Sequence, residues 1–153
     1  MDARPFDFTA HMERLCRAIV ATAPPLAHVD CNQIAFAFAQ TRRAGPHGMW
    51  AALTPLRFRN GALTEHRRGR KYGVQRLYAE DGREMLYILT FYLPRFLNLS
   101  YEEKLDTVFH ELWHISPNFD GDIRRFDGRC YAHSPSQRDY DRQVSAGMSA
   151  WQA

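Results

Sequence analysis

Residues 110–114 read His110-Glu111-Leu112-Trp113-His114. On a helix, two histidines four apart stand one turn above each other on the same face. Their imidazoles can then converge on one metal ion. The adjacent carboxylate can serve as general base toward an attacking water. The chemistry that this H-E-x-x-H spacing supports is zinc-dependent hydrolysis, with His110 and His114 as ligands and Glu111 as the catalytic base.

A pattern this short arises by chance, so its surroundings have to fit. Ser100-Tyr101-Glu102-Glu103 is a capping box, with Ser100 at the N-cap and Glu103 three residues on. Pro117 stops the run, because the residue before a proline is pushed out of the helical region. Between them Leu105, Val108, Leu112 and Ile115 form one apolar stripe at helical spacing. Glu103, Thr107, His110 and His114 fall on the other side. The expectation is an amphipathic helix, packed on one face and carrying the histidine pair on the other.

A catalytic zinc takes three protein ligands and keeps its fourth position for water. No glutamate follows Glu111, so a downstream glutamate ligand is excluded. Nor does a third histidine follow at the next helical spacing, since Pro117 and Asp120 stand where x-x-G-x-x-H needs Gly and His. The remaining donors are His133 and the aspartates at 120, 122, 127, 139 and 141. His133 ranks first, as the only histidine after His114, just ahead of a second capping box, Ser134-Pro135-Ser136-Gln137. An aspartate ranks second. Aspartates not used as ligands can orient a ligating imidazole, and Asp120, Asp122 and Asp127 are the candidates. The alternative for them is turn chemistry, since Asp-Gly recurs at 120–121 and 127–128. Candidate donors to a tetrahedral oxyanion are Tyr131, Arg129 and Tyr140, by their nearness to His133 in the chain.

The elements that must position these groups follow from the rest of the sequence. The chain has 153 residues, 45% hydrophobic and 13% aromatic, which fits one domain over 1–153 and excludes general disorder. Its net charge of +3 does not by itself imply nucleic acid. Cys16, Cys31 and Cys130 are widely spaced and odd in number, so reduced thiols in a cytoplasmic protein are expected rather than a disulfide framework. No signal peptide is visible, and no apolar run is long enough to span a membrane.

Residues 8–22 read as a first helix, capped by Asp7 or Thr9, with Phe8, Met12, Leu15 and Ile19 at helical spacing. Residues 33–40 and 50–58 read as strands, the second at an edge because of Pro55. Asn60-Gly61 signals a turn. HRRGRK at 66–71 is the most basic stretch; a solvated mobile loop is favoured there over a weak nucleic-acid contact. Residues 72–79 and 84–92 flank Asp81-Gly82 as a hairpin whose second arm, apolar on both faces, belongs in the sheet interior. Residues 115–132 form a long connection, and a final helix follows with Tyr140, Val144, Met148 and Trp151 as its core stripe. The fold class is α+β: a small, mainly antiparallel sheet with three helices.

With these residues in place, the chain resembles the zincin-type metallopeptidases. FHELWHISPNFDG at 109–121, followed by GRCYAHS at 128–134, is similar to small metallopeptidases of phage and prokaryotic genomes that are themselves related to SprT-like proteases. The resemblance covers about residues 100–134. It implies a zincin-like fold, zinc on His110 and His114, Glu111 as base and a peptide or protein substrate. It also supports His133 as the third ligand. In zincins an edge strand above the helix holds the substrate by strand addition, and 74–79 is the first expectation for that strand.

Overall fold

The computed structural model describes residues 4–41 and 49–125. His133, Asp127, Asp139, Asp141, Arg129, Tyr131, Tyr140, Cys130 and the final helix all lie outside the described residues.

The chain begins with helix α1, Phe8–Thr22, where the Asp7 carboxylate accepts from the Ala10 N–H at 3.0 Å. Met12, Cys16 and Ile19 recur at helical spacing and are buried. Two short 3-10 turns lead from there into strand β1, Ile34–Gln40. The sheet is completed by β2, Ala51–Pro55, and β7, Tyr87–Leu93, in the order β1-β7-β2. β7 runs parallel to β1, with Ile34 opposite Tyr87, and antiparallel to β2, with Leu53 opposite Leu89. As expected of a strand apolar on both faces, β7 is the central one. Its Tyr87, Leu89 and Phe91 are fully buried in one core with both helices. Pro55 sits at the end of an edge strand, where a missing N–H costs no ladder bond.

Helix α2, Tyr101–Trp113, starts as its sequence predicts. Ser100 Oγ accepts from the Glu103 N–H at 3.1 Å, and the Glu103 carboxylate accepts from the Ser100 N–H at 3.3 Å. Leu105, Val108 and Leu112 are buried, and Ile115 just beyond the helix is too. The architecture is α+β, with two helices and small antiparallel and mixed sheets among the described residues.

Three stretches differ from expectation. The basic stretch at 66–71 is not a loop: β3, Thr64–Arg67, pairs antiparallel with β4, Arg70–Gly73. The turn between them has positive φ at Arg68 and Gly69, 49° and 77°. Arg-Gly lacks the Asn or Asp that signals a two-residue hairpin turn, so the charge obscured it. The expected arm at 72–79 is consequently split. Tyr72 and Gly73 belong to that hairpin, and only β5, Leu77–Tyr78, pairs with β6, Glu84–Met85, across the Asp81-Gly82 turn. Finally, the chain after α2 is not structureless. Ile115 bridges to Ile123, Ser116 N–H donates to Asp122 O at 3.1 Å, and the turn between has positive φ at Phe119 and Gly121.

Candidate metal centre

His110 lies in the last turn of α2 and His114 is its C-cap, with φ −67° and ψ −14°. One helical turn therefore separates them, and their Nε2 atoms stand 2.9 Å apart. The ring planes meet at 81° with centroids 4.6 Å apart, so the rings do not stack face to face, and the Nε2 atoms are brought together. Two imidazole lone pairs this close repel unless a proton or a cation lies between them. A tetrahedral zinc at about 2.0–2.1 Å from each nitrogen needs the pair roughly 3.3 Å apart. The observed separation is a few tenths of an ångström short of that, within reach of small rotations of two half-buried rings. The donor set thus fits a borderline-soft divalent ion such as zinc. A ligand atom of Glu111 joins the two histidines, all three within 4.8 Å of one another.

Glu111 is held from the sheet. The Leu53 N–H donates to its Oε2 at 2.9 Å. The register explains why that N–H is available. The Tyr92 N–H of β7 donates to Trp50 O, and the Leu56 N–H donates to the O of Leu86 just before β7, so alternate residues Ala51, Leu53 and Pro55 turn their backbone groups to the open edge. Burial pushes the Glu111 carboxyl up to about 7, and the Leu53 N–H pulls against that rise. A divalent cation at the histidines would pull in the same direction as Leu53. Trp50, Ala51, Asp106 and Thr107 join His110 and Glu111 around a cavity of about 270 Å3. Helix and edge strand together thus make a cleft with two carboxylates, Asp106 and Glu111, and one imidazole in its wall.

The C-terminal end of α2 is fixed by Arg124. Its backbone N–H donates to His114 O, and its Nε donates to Trp113 O, at 2.6 Å and 2.9 Å. Its guanidinium lies over the Trp113 ring, 3.6 Å from the centroid. A cation at this helix end satisfies carbonyls that have no intrahelical partner and complements the dipole.

Two of the expected imidazole-orienting aspartates are placed elsewhere. Asp122 is buried at 3% exposure, and both its oxygens are taken up away from the histidines. Oδ1 accepts from Ile123 N–H and Arg125, and Oδ2 from Asn60 N–H and Arg125. Asp120 Oδ1 accepts from the Asp122 N–H at 3.1 Å. These are the bonds of a turn, as Asp-Gly chemistry dictates, and they fasten the loop after α2 to the turn at 59–61. The strand expected above the helix is also reassigned. It is β2 that α2 packs against, whereas in 74–79 only Leu77 and Tyr78 are strand, paired to β6.

Sequence reasoning missed Leu53, Asp106, Trp50 and Arg124. Asp106 had a signal, standing four residues before His110 on the same helix face. Leu53 acts through its backbone and carried none. Among known proteins, no family model, no curated protein and no solved structure matches the chain.

Proposed function

We propose that this chain is a zinc-dependent peptidase of zincin-like fold that hydrolyses peptide bonds in a protein or peptide substrate. One observation carries the reading: the His110 and His114 Nε2 atoms meet at 2.9 Å beside the half-buried Glu111 carboxylate, which lines an open cleft. The third protein ligand that such a site requires is assigned to His133, from the sequence argument.

Bound between these residues, zinc supplies a Lewis acid for the scissile carbonyl and makes water acidic near pH 7. The chain's own groups do the rest. Leu53 N–H holds Glu111 Oε2, so Oε1 is the oxygen left to carry a proton. Glu111 takes that proton from the attacking water and returns it to the leaving amine. With the Leu53 N–H committed to Glu111, the outward Ala51 N–H and the Ala51 and Leu53 carbonyls of β2 line up an extended peptide by strand addition, and Pro55 ends that edge on one side. Burial of Glu111 raises its basicity above that of a free carboxylate, which suits it to take up and return a proton.

The test is metal analysis of the purified protein beside cleavage of unfolded casein. Stoichiometric zinc and chelator-sensitive cleavage are expected. Protein that takes up no zinc, or zinc protein that cleaves neither casein nor a diverse peptide library, defeats the reading.

A further inference from the structure

The β3–β4 hairpin is not used by the peptidase site. Its residues are nearly all exposed, and each strand packs mainly against the other. A two-stranded ribbon that buries so little is marginal by itself. Its register makes matters worse, because Arg67 stands directly opposite Arg70 with Arg68 at the turn beside them. Like charges facing each other across a ladder destabilise it. Glu65 pairs with Arg67 at 2.7 Å; among the described residues Arg68 and Arg70 make no ion pair.

Side-chain alternation sorts the hairpin into two faces. Arg67 and Arg70 share one with Glu65 and Tyr72, while His66 and Lys71 point to the other. On the first face Arg67, Arg68, Arg70 and Tyr72 surround a concavity of about 470 Å3. Tyr72 is 46% exposed and lines that concavity, so its ring is accessible to a planar ligand. Three guanidiniums call for anionic oxygens in several directions, and an aromatic ring beside them calls for a base to stack on it. The turn carries no apolar side chain that would enter a lipid surface.

We propose that this hairpin binds single-stranded nucleic acid, with Arg67, Arg68 and Arg70 on successive phosphates and Tyr72 stacked on a base. The ladder repulsion at the Arg67–Arg70 pair is relieved when a phosphate lies between them. Recognition of this kind is tolerant of sequence, because every base has a face to stack.

The test is fluorescence anisotropy of a labelled oligothymidylate titrated with the full chain. Neutralising three phosphates on a single strand gives a slope of about −2 in log affinity against log salt. Binding should therefore weaken roughly twentyfold between about 50 and 200 mM salt. Tyr72→Ala should weaken binding roughly tenfold or more and Tyr72→Phe should not, since the ring and not the hydroxyl does the stacking. The combined Arg67→Ala, Arg68→Ala, Arg70→Ala variant should lose the salt dependence along with the binding. No binding at low salt, wild-type affinity in the triple variant, or a silent Tyr72→Ala with equal displacement by phosphatidylserine vesicles would each overturn the proposal. Titration with and without a chelator should give the same affinity, so loss of the peptidase reading would leave this one standing.

Discussion

Glu111 and His110 are neighbours in the chain, yet they serve the site in different ways. His110 offers a lone pair, whereas Glu111 offers a carboxylate whose basicity is set by burial and by one backbone N–H. Replacing Glu111 by Gln keeps the shape and removes the base. Zinc content should be unchanged while kcat falls by roughly 10²-fold or more, read from peptide turnover against metal content. Peptide hydrolysis at the wild-type rate by Glu111→Gln would refute the assigned role. Asp122 shows the same chemistry used for stability. Burial pushes its carboxyl up, but Arg125 and the Asn60 and Ile123 N–H groups outweigh that and hold it below the usual carboxylate value. A carboxyl depressed by folding contributes stability above its unfolded pKa, about 3.9, and loses it as pH falls toward the folded value. Asp122→Asn should therefore lower stability by about 1–3 kcal/mol at pH 7, and the gap to wild type should close below roughly pH 4. Urea midpoints at the two pH values measure it; a gap that widens in acid contradicts the assignment.

Between elements, the end of α2 and the loop that returns beneath it decide where His114 points. Arg124→Ala keeps the backbone bond to His114 O but removes the Trp113 O bond and the cation over the indole. Thermal unfolding should show a loss of about 1–3 kcal/mol, and zinc affinity measured against a competing chelator should fall roughly tenfold. Gly121 bears on the same loop. Its φ is +89°, and a Cβ there would lie 2.8 Å from Arg57 Cβ, so Gly121→Ala meets strain and a clash together. It should cost more than about 2 kcal/mol in urea unfolding, and a neutral result would mean the loop can move aside. Among the described residues, helices α1 and α2, their N-caps and the central place of β7 were legible in the sequence because period and capping are local signals. The Arg68-Gly69 turn was not, since its residues read first as charge. The tie from Leu53 to Glu111 could not be, because it joins a backbone group to a side chain far along the chain and depends on which edge of β2 stays open. The duties of Asp120 and Asp122 divided in the same way: Asp-Gly announced a turn at 120–121, and only the packing of Asn60 and Arg125 against Asp122 showed that both oxygens of that carboxylate are engaged away from the histidines.

For the molecule as a whole, ion binding and folding should be linked. His110 and His114 lie at the end of the helix that carries Leu105, Val108 and Leu112 into the core, so unfolding that core separates them. A ligand that binds only the folded chain stabilises it by RT ln(1 + [L]/Kd), about 2.7 kcal/mol at a hundredfold excess over Kd. Zinc should thus raise the thermal midpoint of metal-free protein by several degrees in a concentration-dependent way, and a chelator should reverse the gain. Because the donors must be neutral imidazoles, the gain should shrink as pH falls below about 6. His110→Ala and His114→Ala should each abolish the zinc-dependent rise, while Glu111→Gln should keep it, since that change spares both nitrogens. His133→Ala separates the two views of the third ligand: loss of the rise assigns it to that histidine, and an intact rise assigns it to another donor. A midpoint that zinc leaves unmoved in the wild-type chain would mean that the close approach of the two imidazoles is held by a shared proton, and that the helix end serves folding alone.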